Sequence, residues 1–219
     1  MEEIHQGQIS DTLARHADSL NDISQKIWRE PELYFQEKFA HNLLTDFLER
    51  NGFTVVRGYK NIATAFRAEF QSPNYDRLLH PTIAVLCEYD ALPEIGHACG
   101  HNLIAEAGIA TGLALRDVLT SHADTAQAVD GKLVILGTPA EEQGGGKVIL
   151  INEGAFLDID FAMMVHPFVR NDLEPVILGI EACRVEFRGK AAHAACGPWE
   201  AVNALDAAVS LYQNVALFR

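Results

Sequence analysis

The chain has 219 residues, a hydrophobic fraction of 48%, 21% charged residues and a formal net charge of −13. That composition is ordinary for a globular protein able to bury a core without disulfide support. The acidic balance, 17 Lys and Arg against 30 Asp and Glu, argues against nucleic acid, which needs clustered basic residues.

The acidic, polar start MEEIHQGQISDTLARHADSL is unlike a secretory signal, and no apolar run approaches the roughly 20 residues that span a bilayer. The four cysteines, Cys87, Cys99, Cys183 and Cys196, form no CxxC pair. A reduced, cytoplasmic protein is the expectation.

Along the chain, the apolar stripe Ile9, Leu13, Leu20, Ile23 and Ile27 predicts a helix over 8–28. A second helix is expected over 37–50, stopped by Asn51-Gly52. FTVV at 53–56 and IATAFRAEF at 62–70 read as strands, and QSPNYDRLLHP as a loop. TIAVLC (82–87), KLVILG (132–137) and FAMMV (161–165) are short and almost wholly apolar, as strands are when helices cover both faces of a parallel sheet. With helices at 103–119 and from Gly145 or Gly146, the alternation predicts an α/β domain with a largely parallel sheet flanked by helices.

Near residue 179 the pattern changes. In EACRVEFRGK, Cys183, Val185 and Phe187 alternate with charged residues, which predicts a half-exposed antiparallel strand. A helix is expected from Pro198 onward, striped by Val202, Leu205, Val209, Tyr212 and Ala216. The expected organisation is the N-terminal part of a catalytic domain over 1–178 and the incomplete start of an α+β unit over 179–219.

In an open α/β sheet, ligands bind beyond the carboxyl ends of the strands. Three strand ends would bring Glu88 and Asp90, Glu141 and Glu142, and His166 to one edge, where the loop EYDALPEIGHACGHN adds His97, Cys99 and His101. Each piece alone has a plain explanation, since acids at a helix start offset its dipole and an isolated Cys is commonly an inert buried thiol. Together they suit zinc chemistry, because zinc accepts thiolate, imidazole and carboxylate, and two metals can flank one water. Of two adjacent carboxylates, one can ligate while the other takes the proton of the water.

DALPEIGHACGHN (90–102), GTPAEEQGGGK (137–147), VHP (165–167) and GKAAHAACGPWEAVNALDA (189–207) resemble, in order, the motifs of the dinuclear zinc aminoacylase and amidohydrolase-type peptidases. The resemblance is strongest to the aminoacylase-1-like branch with its dipeptidases and aminobenzoyl-glutamate-type hydrolases. It implies Cys99, His101, Glu142 and His166 as ligands of two divalent metal ions, zinc with manganese or cobalt as alternatives. It implies Glu141 as general base and Asp90 as the acid that orients the site.

Glu88 stands where some relatives keep a ligating His, and His97 reads as structural. The family's second unit is a lid and dimerisation domain, so the resemblance implies a homodimer in which His193 reaches the partner's site and steadies an oxyanion. Asn102 stands where many relatives have Asp. The family also has a further ligating His that none of the nine histidines here supplies, so the chain is expected to be part of a longer protein. The implied substrates are small N-acyl amino acids or dipeptides. Two other readings stay open: a metal-binding or dimerisation protein without turnover, and a thiol enzyme using Cys99.

Overall fold

The computed structural model describes residues 2–121, 128–179 and 182–218. The chain divides into two compact units, Met1–Arg170 and Asn171–Arg219.

In the first unit, helices α1 (Glu2–Arg29) and α2 (Lys38–Arg50) precede strands β1 (Thr54–Arg57), β2 (Phe66–Gln71) and β3 (Thr82–Cys87). Helix α3 (His101–Thr120), strand β4 (Lys132–Gly137), helix α4 (Gly146–Asn152) and strand β5 (Phe161–Met163) follow. The sheet order is β1-β2-β4-β3-β5. Strands β4, β3 and β5 are parallel, whereas β1 pairs antiparallel with β2 and β2 antiparallel with β4. The α/β architecture expected from the pattern is present, with an antiparallel pair added at one side.

Side-chain alternation explains why β3 and β4 read as unbroken apolar runs. Leu133 and Ile135 of β4, with Val85 and Cys87 of β3, enter a core shared with Ile23, Leu44 and Leu113 of the three long helices. Val134 and Leu136 face the other way, with Ala84, onto Leu150 of α4 and Ala155. Both sheet faces are covered, so neither strand has a solvent side on which to place polar residues. Helix α3 approaches β3 closely: a Cβ at Gly108 would strike Cys87 Sγ, so a larger residue there would push the helix off the sheet.

The parallel register sets Thr82 opposite Lys132 and Cys87 opposite Gly137. The two strands therefore end level, and the chains leaving them start from one edge.

In the second unit, the alternating segment after residue 181 forms no strand among the described residues; Glu181 itself lies outside them. Val185 and Phe187 are exposed, and the sole ladder contact described there is an antiparallel bridge between Lys190 and Val202. An alternating run needs neighbouring strands to become a sheet, and none is at hand among the described residues. The helix expected from Pro198 begins later. Pro198–Glu200 is a single 3-10 turn, Val202 is held in the bridge, and α5 (Ala204–Ala216) starts after Asn203, whose side chain caps the Leu205 N–H at 3.0 Å.

Candidate metal centre at the sheet edge

The residues beyond β3 are the frame of the site. Glu88 and Asp90 are 2% and 1% exposed, and Tyr89 between them points into the core, where its hydroxyl donates to the Thr64 carbonyl at 2.6 Å. Period-2 geometry thus sends both acids the opposite way, toward the edge. The loop that follows turns at Gly100, whose φ of +84° suits glycine, and delivers His101 as the first residue of α3.

His101 is the hub. Its Nδ1 lies 2.9 Å from Asp90 Oδ1, and Asp90 Oδ2 accepts the Glu142 backbone N–H at 2.9 Å. One carboxylate therefore fixes both the imidazole and the loop bearing the acid pair. With Nδ1 donating to Asp90, the lone pair sits on Nε2. That atom lies 3.3 Å from Glu88 Oε2, and 3.7 Å from both Glu141 Oε2 and Glu142 Oε1. On the other side, Cys99 Sγ is 3.7 Å from His166 Nε2, and His166 Nδ1 is anchored on the Pro167 carbonyl at 2.8 Å.

The electrostatics follow from crowding. Burial works against ionised Asp90, but the hydrogen bonds from His101 and the Glu142 amide hold its pKa below the ordinary carboxylate value. Burial likewise disfavours charged His101, yet the Asp90 hydrogen bond and the Glu88 charge raise its pKa overall. Glu141 is raised by burial and then by Glu88. Cys99 is pushed up to about 11 by burial and the neighbouring Glu142 charge. His97 is lowered by burial and then by His101.

This cluster has the properties of a cation site. His101 Nε2, Glu88 Oε2 and Glu142 Oε1 are buried and have no hydrogen-bond partner among the described residues, the two carboxylate oxygens lying 3.3 and 3.7 Å from the imidazole nitrogen. Buried polar atoms are nearly always paired, so these three fit a cation as their partner. Two donor sets lie within 4.8 Å: Cys99, His101 and His166, and Glu88, His101 and Glu141. The donor chemistry, soft thiolate and imidazole beside carboxylate, fits zinc and similar divalent ions.

Of the residues singled out in the sequence, Asp90, Cys99, His101, Glu141, Glu142 and His166 come together in the first unit. Glu88 is more central than its sequence context suggested, while Glu142 falls outside both donor sets despite its orphan oxygen. His193 lies in the second unit, where its Nδ1 accepts the Ala195 and Cys196 N–H groups at 3.2 Å each.

Two supporting residues escaped the sequence reading. Lys147, in the quoted GGGK run, pairs with Glu88 Oε1. Glu37 is fully buried and accepts the Ala140 N–H at 2.9 Å and the Thr64 hydroxyl at 2.9 Å. It thereby holds Ala140 at a φ of +60°, strained for a residue with a Cβ, directly before Glu141. No local signal marks Glu37, which reads as an ordinary helix-start acid.

Over 212 residues the chain is 45% identical to the Xaa-Arg dipeptidase of Homo sapiens, a match spanning 93% of this chain and 48% of that protein. It is 35% identical over 226 residues to a p-aminobenzoyl-glutamate hydrolase of Escherichia coli K12, covering 94% of this chain and 44% of the other. Over nearly its whole length the chain is similar to amidohydrolase-type peptidases. It spans about half the length of the curated relatives it matches. The fold agrees: a dinuclear metal-binding peptidase from Bacillus subtilis superimposes with a TM-score of 0.56 at 21% identity, covering 66% of this chain and 41% of that one. No family model matches the chain. No helix among the described residues is long and apolar enough to cross a membrane.

Proposed function

We propose that this protein is an amidohydrolase-type peptidase that hydrolyses the amide bond of small N-acyl amino acids or dipeptides, with a homodimer as its working form and the cytoplasm as its compartment. The observation that carries the reading is the pair of donor sets that share His101, Cys99 with His166 on one side and Glu88 with Glu141 on the other, with buried unpartnered atoms on His101, Glu88 and Glu142. The names of the relatives, a dipeptidase and an aminobenzoyl-glutamate hydrolase, support the substrate class.

Cys99, His101, Glu142 and His166 are the residues that would hold two divalent ions, zinc first among them, with Glu88 as an additional donor. Bound there, the metals supply Lewis acidity that polarises the amide carbonyl and makes water a nucleophile near neutral pH.

The chain's own residues do the rest. Asp90 keeps the proton on His101 Nδ1 and Nε2 free to donate its lone pair. Glu141, raised toward neutrality by burial and the Glu88 charge, takes a proton from the attacking water as the oxygen–carbon bond forms. It returns that proton to the amine nitrogen as the carbon–nitrogen bond breaks. His193 of the partner subunit would donate a hydrogen bond to the oxyanion.

Elemental analysis of the purified chain, paired with a hydrolysis screen over N-acyl amino acids and dipeptides, tests the reading. Stoichiometric divalent metal with turnover is expected. Metal without turnover assigns this chain the non-catalytic role, and absence of metal overturns the site assignment.

A further inference from the structure

Residues 31–37 lie in the connection from α1 to α2 and touch both loops that carry the acids of the site. Toward β3, the Glu32 carbonyl accepts the Ala91 N–H at 2.8 Å, one residue past Asp90. Toward β4, the Phe35 ring lies against Gly144, where an added Cβ would strike it. Glu37 Oε1 accepts the Ala140 N–H at 2.9 Å and the Phe35 N–H at 3.0 Å, while Oε2 accepts the Thr64 hydroxyl at 2.9 Å.

Glu37 stands at the N-cap of α2, where an acid would ordinarily serve the helix. It makes no capping hydrogen bond. Glu32 does that instead, its carboxylate accepting the Phe39 and Ala40 N–H groups at 2.9 and 3.0 Å. The Glu37 side chain turns inward and has no exposed surface. Burying a carboxylate against two amides and a hydroxyl, none of them a cation, is costly, and the helix start gains nothing from it.

What this reach fixes is Ala140, fully buried at a φ of +60°, a conformation disfavoured for any residue with a Cβ. Without the bond from Glu37, Ala140 would relax to negative φ and swing the next residue, Glu141, away from its present direction. We propose that Glu37 is a positioning residue for the base: its hydrogen bond to the Ala140 N–H holds the backbone turn that aims Glu141. The proposal rests on the amide-hydrolase reading and adds to it a residue that touches neither metal nor substrate. Through Glu32 and Ala91 the same segment also ties the Asp90 loop, so the two loops share one brace.

Two substitutions separate reach from charge. Glu37→Gln keeps the length: the amide oxygen can accept both N–H groups while the amide nitrogen donates to the Thr64 hydroxyl oxygen. Glu37→Asp keeps the carboxylate but withdraws it by one methylene, out of reach of Ala140. In chelated protein, hydrogen exchange of peptides covering 138–142 should quicken about tenfold or more at the Ala140 amide in E37D. E37Q should exchange near the wild-type rate.

With zinc bound, kcat for the best substrate of the hydrolysis screen should fall about 10–100-fold in E37D, with KM and zinc content unchanged. E37Q should stay within about threefold of wild type, since its hydrogen bonds are kept. Ala140→Gly adopts positive φ without enforcement and should restore part of the E37D loss. Wild-type exchange and turnover in E37D, an equal loss in E37Q, or no recovery with A140G overturns the positioning role. Exchange is read without metal or substrate. The expected exchange pattern with no wild-type turnover therefore keeps the brace and sinks the hydrolase reading, and turnover unaffected by E37D does the reverse.

Discussion

Asp90 and His101 are locked together by a 2.9 Å hydrogen bond between two nearly fully buried side chains, and the same carboxylate also takes the Glu142 N–H. One acid thus sets the ring that would bind metal and the loop that carries the base. Asp90→Ala should lower zinc affinity by about 10–100-fold, the usual cost of losing such a carboxylate–histidine contact, as read by chelator competition. Unchanged affinity would show that packing alone orients His101.

Glu141 and Glu142 are adjacent but differ in burial, with side chains 43% and 18% exposed. Glu141→Gln should retain bound metal while the hydrolysis rate falls by about 10²–10⁴-fold. Glu142→Gln should lose metal first. A Glu141→Gln variant with metal and full turnover would exclude that residue as the base.

Metal removal should change the chemistry of Cys99. Cys87 is buried and pushed up to about 12, so it stays inert, whereas Cys183 and Cys196 are exposed. In a Cys183→Ser, Cys196→Ser background, zinc-bound protein should react slowly with a thiol reagent and chelated protein faster. The chelated rate should climb with pH toward the Cys99 value of about 11. A thiol enzyme predicts fast reaction whether or not metal is present.

Asp117 ties α1 to α3. Its carboxylate accepts from Thr12 Oγ1 at 2.7 Å and Arg15 at 2.6 Å, with Arg116 on the other oxygen. Burial opposes its charge, but the Thr12 and arginine hydrogen bonds lower its pKa below the ordinary value. The folded state therefore binds the proton less tightly than the unfolded one. The stabilisation is full above the unfolded carboxylate value of about 3.9 and is lost as pH falls through the folded one. Asp117→Asn should cost about 1–3 kcal/mol at pH 7 in urea unfolding and should flatten the acid limb below about pH 4.

Leu113 sits on α3 facing the sheet with no exposed surface. Leu113→Ala should destabilise the first unit by about 2–5 kcal/mol in the same assay, through lost burial plus the cavity left behind. A loss under about 1 kcal/mol would mean that the helix layer closes over the gap.

Much of the frame was legible locally. Strands β3 and β4 match the apolar runs TIAVLC and KLVILG residue for residue, because both of their faces are covered and no polar position interrupts them. The helix expected over 103–119 is α3, which begins two residues earlier, at His101, just after the chain turns at Gly100. The segment after residue 181 misled, since alternation specifies a strand only when another strand is there to pair with it.

By itself the sequence determined which residues could do chemistry and which strand ends would carry them, since residue type and period are local properties. The tertiary structure alone decided the sheet order β1-β2-β4-β3-β5, the Lys147–Glu88 pair, and the reach of Glu37 across 103 positions to Ala140. It also decided that His101 is held by a buried carboxylate. A hydrogen bond depends on where two distant backbone segments are brought by core packing, and no window of local sequence contains that distance.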